Sequence, residues 1–127
     1  MKKLNMNMGE LYTKYVALMS VGVIKLKFSR SGALSIYRNV KKIEEELSDY
    51  INERQKLIVE YKTGDKDVVD NTNPKWNDFL KELNDLNSVE TSLELNTIHE
   101  DDLPENLSVE QILVLEFMVA DNKNEGE

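Results

Sequence analysis

Few side chains in this sequence could do chemistry. His99 is the only histidine, and it opens the run His99-Glu100-Asp101-Asp102, four groups able to ligate a metal. Successive side chains of an extended run point apart, so one ion would not be reached by all four. A solvated turn ahead of Leu103-Pro104 is the expected role. Asp65, Asp67 and Asp70 are spaced loosely like a calcium loop, but the glycine at the sixth position and the closing glutamate of an EF-hand are missing. Glu44, Glu45 and Glu46 are consecutive, and consecutive helix positions face different ways, so they make no acid–base pair. There are no cysteines and only five scattered glycines, which leaves thiolate chemistry, a cysteine–zinc site and a phosphate-cradling loop without residues. A hydroxyl nucleophile would depend on His99 alone. The expectation is a non-enzyme with no cofactor and no metal.

Charge carries more information. Residues 1–42 hold nine Lys/Arg and one acid, a balance of +8, while residues 43–127 hold seven Lys/Arg and 23 acids, a balance of −16. Lys25, Lys27, Arg30, Arg38, Lys41 and Lys42 form the basic cluster, a candidate for phosphate contacts. No aromatic residues alternate with them in a recognition pattern, so nucleic acid is not the expected partner. The expected arrangement is that the basic segment folds against the acidic remainder and mostly neutralises it. The acidic surface could instead occupy a basic cleft of another protein.

The elements that must position these groups are mostly helical. One domain, residues 1–120, is the natural count at this length. GELYTKYVALMS (9–20) has helical spacing and Gly22 stops it. Residues 23–28, VIKLKF, alternate as a half-buried strand does, and residues 89–98, VETSLELNTI, alternate again, so the two are expected to pair. Ser29 or Ser31 can cap a helix over about 31–62. Its apolar seam, Ile36, Val40, Ile43, Leu47, Tyr50, Arg54, Leu57 and Tyr61, is spaced 4-3-4-3-4-3-4, with Ile51 and Ile58 widening it.

Residues 63–73 read as a mobile loop. Asn73-Pro74 should start a helix carrying Trp76, Phe79, Leu80, Leu83 and Leu86 on one face. Ser108 and Gln111 are spaced as a capping box, with Leu107 and Ile112 placed as a staple, and a nearly all-apolar helix should run over 109–120. Residues 121–127 are expected to be a disordered tail. The fold class is therefore mostly α with a small β element (α+β). It comprises one helix of ~30 residues, three shorter helices and a two-stranded sheet.

At 1.5 Å per residue a helix over 31–61 is about 45 Å long, whereas a ball of this chain length is roughly 36 Å across. Either the other helices cover the seam, which is the simpler solution, or part of it is shared with another chain. Arg54 stands where leucine would be expected, so the core should give way to solvent or an interface in that turn. The candidate protein-binding residues are Tyr50, Arg54, Leu57, Ile58, Tyr61, Leu113, Phe117 and Met118. No run reaches the ~18 apolar residues of a membrane span. Residues 16–24 are interrupted upstream by Glu10 and Lys14 and lack a clear cleavage site, so a secretory leader is not expected.

Three phrases resemble a family of small uncharacterised phage proteins of Gram-positive bacteria, often encoded near tail and lysis genes. The first is Glu53, Arg54, Lys56, Leu57 and Tyr61 at the end of the long helix. The second is Phe79 with Lys81-Glu82-Leu83, Leu80 standing between. The third is Leu115 to Met118. The resemblance spans roughly residues 8–120 and implies a phage origin with no established activity. Together with the apolar C-terminal helix and the second half of the long helix, the expectation is an accessory protein acting by protein–protein binding, on a phage structural protein, a host factor or a second copy. The setting would be the cytoplasm of the infected bacterial host or the virion. An anti-defence inhibitor using its acidic surface is the alternative, and nucleic-acid binding through residues 25–42 the next.

Overall fold

The long helix organises the molecule. In a computed structural model, which describes residues 1–120, the chain opens with β1 (Lys2–Asn7) and α1 (Met8–Ser20), followed by a 3-10 turn at Val23–Lys25. Then come α2 (Arg30–Tyr61), α3 (Trp76–Asn87), β2 (Glu90–Leu95), a second 3-10 turn at Glu100–Asp102, α4 (Val109–Leu115) and a last 3-10 turn at Glu116–Met118. Residues 121–127, the expected tail, lie outside the described residues. The architecture is mostly helical with one small antiparallel sheet, and α2 is unbroken over 32 residues, about 48 Å.

The sheet forms from a different partner than expected. Residues 23–28 are not a strand; β1 takes that place, running antiparallel to β2 with Leu4 opposite Leu93 and Met6 opposite Thr91. KKLNMN alternates as well as VIKLKF does, and Leu4, Met6, Leu93 and buried Leu95 face the same core. Asn7 ends the strand and starts the helix at once, its Oδ1 accepting from the Glu10 amide at 2.8 Å. VIKLKF is folded otherwise because Gly22 takes a left-handed conformation, φ +70°. The Lys25 amide then bonds back to the Gly22 carbonyl at 2.9 Å and the Leu26 amide to that of Val23 at 3.1 Å. Those bonds close a tight turn and withdraw the amides a sheet would need.

Ser29 caps α2, accepting from the Gly32 amide at 3.1 Å while its hydroxyl donates to Asp102 Oδ1 at 2.7 Å. A Cβ at Gly32 would meet the Asp102 carbonyl oxygen at 2.8 Å, so only glycine admits this close approach. Two more boundaries differ from expectation. Helix α3 starts at Trp76 rather than Pro74, because the Asn73 side chain is used in an Asx turn to the Lys75 amide, 2.8 Å, and in a bond to the Tyr61 carbonyl. Helix α4 ends at Leu115 instead of running to 120: the chain leaves it to pair with Ile98, whose amide donates to Met118 O and whose carbonyl accepts from the Ala120 amide.

The main core joins Leu11 and Leu18 of α1 with Ile36, Ile43, Leu47 and Tyr50 of α2, Leu95 and Ile98, and Leu115 and Met118. One polar residue sits inside it. Asn39 is wholly buried and makes a two-way bridge to the Asn96 backbone, its Nδ2 donating to the carbonyl at 2.9 Å and its Oδ1 accepting from the amide at 2.7 Å.

Candidate functional site

The expected binding residues separate. Tyr50 is 4% exposed and Met118 not at all, so both belong to the core and offer a partner nothing. The Tyr50 hydroxyl donates to Asn87 Oδ1, and burial raises its pKa. Arg54, Leu57, Ile58 and Tyr61 are half-buried. Arg54 lies 5.0 Å from the centre of the Tyr12 ring, the edge-of-core position its place in the seam suggested. Tyr61 meets Phe79 edge-on, centroids 5.8 Å apart, and Phe79 stacks on Trp76. Phe117 is half-buried beneath the Lys14 ammonium, 5.1 Å away, and Leu113 is 64% exposed. Tyr12 and Lys14 are about 200° apart around α1. The two pieces of the expected surface therefore lie on different sides of α1.

The basic residues do come together. Arg30, Arg38 and Lys41 are exposed on α2, and Lys25 and Lys27 are exposed on the segment that precedes it. Beside them runs a groove of about 440 Å³, of which Lys41 is a lining residue and Lys25 and Lys27 are sequence neighbours of lining residues. One wall is Ala33, Ile36, Tyr37 and Val40 of α2; the other is Val23, Ile24, Leu26 and Phe28. Its floor is the core itself, through Val23 and Ile36, while Ile24 at 59% and Tyr37 at 61% stand on the lips. Leu34, 46% exposed, lies outside the α2 wall. The α2 residues are placed by helical spacing, and the other wall by the Gly22 turn, which turns Ile24 outward.

Charge is left open around this groove. Among the described residues only two ion pairs form, Lys56–Glu53 and Lys62–Asp67, and neither involves residues 1–42. Among the described residues no ion pair joins residues 1–42 to the acidic remainder, although β1 sets Lys3 opposite Glu94 in the sheet. Lys42 is the exception to the open cluster: half-buried, its Nζ donates to the Glu94 carbonyl at 2.8 Å. Lys41 sits 5.8 Å from the Tyr37 ring centre. Glu44 bounds one end of the groove and accepts from the Tyr15 hydroxyl at 2.7 Å; that bond to a carboxylate, with burial, raises the Tyr15 pKa.

The acidic runs have local roles. Asp102 holds Ser29 at the start of α2. Asp70 accepts from the amide and hydroxyl of Thr72, which holds its carboxyl below the usual range. No group of three or more His, Cys, Asp or Glu able to hold a metal ion occurs among the described residues, and no helix there is long and apolar enough to cross a membrane.

The reading from sequence missed Ile24, Phe28 and Tyr37 as site residues. Ala33, Ile36, Tyr37, Val40, Lys41 and Glu44 recur at 3-1-3-1-3, a stripe that shares Ile36 and Val40 with the main seam and adds Ala33, Tyr37, Lys41 and Glu44, which the heptad count passes over. Compared with protein-family models, curated proteins and solved structures, the chain matches none.

Proposed function

We propose that this chain is a non-enzymatic protein-binding protein whose docking site is the groove between α2 and residues 23–28. Following the resemblance in its sequence, it serves a phage as an accessory protein in the infected cell or on the virion. One observation carries the reading: an open apolar groove is lined by exposed Lys41, and Lys25 and Lys27 alternate in sequence with residues of its other wall, none of the three with an ion-pair partner among the described residues. An apolar floor rewards a leucine-sized side chain by about 1.5–3 kcal/mol. Rim cations add speed and selectivity for an acidic partner. The chemistry recognised is thus an amphipathic segment with aliphatic residues on one face and carboxylates beside them.

The test is a fluorescently labelled helical peptide with leucines at i, i+3 and i+4 flanked by glutamates, titrated into the protein. Saturable binding is expected, weakened about tenfold or ~1.4 kcal/mol by Arg38→Glu with Lys41→Glu and by rising salt. Equal binding of a lysine-flanked version, or none of either, overturns the reading. So does tight, steeply salt-dependent binding of single-stranded RNA or DNA in place of the peptide, because exposed Tyr37 among cations could also stack on a base.

A further inference from the structure

The molecule carries on its own surface the kind of segment that groove would take. Helix α4 exposes Val109 at 73%, Ile112 at 50% and Leu113 at 64%. These positions are i, i+3 and i+4, one face of the helix. Glu105, Glu110 and Glu116 are exposed around that face. The helix is held ready: Ser108 Oγ accepts from the Gln111 amide at 3.1 Å and Gln111 Oε1 from the Ser108 amide at 3.0 Å, a complete capping box.

We infer that the groove's occupant is α4 of a second copy of this chain, an inference that rests on the groove being a docking site. Three features support it. The charges are complementary: exposed Lys41 lines the groove and exposed Lys25 and Lys27 alternate with residues of its other wall, against one lining acid, Glu44, whereas the stripe has only acids near it in sequence, the exposed Glu105, Glu110 and Glu116. The lengths agree, since the groove wall from Ala33 to Glu44 extends about 17 Å along α2 and the seven residues of α4 about 10 Å. The contact must also be between molecules. Leu115 and Met118 are wholly buried and pin α4 to its own core, and none of the stripe residues lines the groove of its own chain.

The two surfaces are different patches, so the contact is head-to-tail. It closes as a reciprocal two-fold dimer if both grooves fill at once, and otherwise propagates from copy to copy. Reciprocal filling doubles the buried area and tightens the pair, while one contact alone holds more weakly.

Light scattering on the eluting full chain, over a concentration series at low salt, reads the outcome. Mass should rise with concentration to a dimer or beyond and fall back with salt. Leu113→Asp, and separately Arg38→Glu with Lys41→Glu, should each weaken association at least tenfold. All three positions are exposed, and an unchanged circular dichroism spectrum checks that each variant folds. Mixing the two variants should restore a complex, because one keeps an intact groove and the other an intact stripe. A wild type that stays monomeric at high micromolar concentration overturns the inference, as does association that neither variant weakens or a mixture that does not recombine. A monomer that still binds the glutamate-flanked peptide loses only the second copy as occupant. A monomer that binds no peptide loses the docking site as well.

Discussion

The two halves of α2 carry the same heptad spacing and are used differently. From Arg30 to Tyr50 the helix buries Gly32, Ile36, Asn39, Ile43, Leu47 and Tyr50 beneath α1, β2 and the Glu100–Asp102 turn. From Ile51 to Tyr61 no residue is buried; Arg54, Leu57, Ile58 and Tyr61 reach only half-burial, and Ile51 and Val59 are 39% and 54% exposed. Periodicity thus identifies which face of a helix is apolar without saying how deeply it is covered. The open groove is also not where the cover runs out. It lies beside the well-packed half, where a rigid wall supports it.

The contrast should appear most strongly in stability. Leu47→Ala deletes a wholly buried side chain and should cost about 3 kcal/mol, whereas Leu57→Ala, about two turns past Tyr50, should cost about 1 kcal/mol or less. Denaturant melts of the two variants check it, and equal costs would break the comparison.

Asn39→Leu comes next. It fits the apolar surroundings but strands the amide and carbonyl of Asn96, which Asn39 alone is shown to bond among side chains. Each orphaned buried group costs about 1–3 kcal/mol, so a loss near 2 kcal/mol is expected from calorimetry. A neutral result would show that water replaces the bridge. At the edge of the core, Arg54→Ala should cost about 0.5–1 kcal/mol through its lost contact with Tyr12, and the loss should persist in high salt less completely than that of Leu47→Ala.

The smallest effect is in alkali. A hydrogen bond to the Glu82 carboxylate pushes Tyr61 up to about 12. Between the ordinary tyrosine value and that one, the folded state keeps a proton the unfolded state has lost. Stability from this source is therefore whole below about pH 10 and lost as pH rises toward 12. In Glu82→Gln, tyrosinate absorbance should appear at lower pH and the alkaline fall in melting temperature should flatten.

Much of the fold was legible in local chemistry. The Ser29 and Ser108 caps, the Gly22 stop and the Ile36-to-Tyr50 seam each have a cause within a few residues. What was not legible depends on competition between distant segments. KKLNMN and VIKLKF alternate equally well, and only the turn bonds around Gly22 decide which one reaches β2. The end of α4 is set by a bridge from Val119 to Ile98, about twenty residues away. For the site, the basic residues were found because charge is countable. The groove beside them was missed, because half its wall was assigned to a strand and the other half is a stripe that overlaps the seam only in part.

The most direct test is a heteronuclear NMR titration of the full chain with the glutamate-flanked helical peptide. Resonances of Ile24, Tyr37 and Val40 should shift in a saturable manner while those of Ile51, Leu57 and Val59 stay still. Shifts confined to the distal half of α2, or none at either place, would contradict the assignment of the docking site to the basic-rimmed groove.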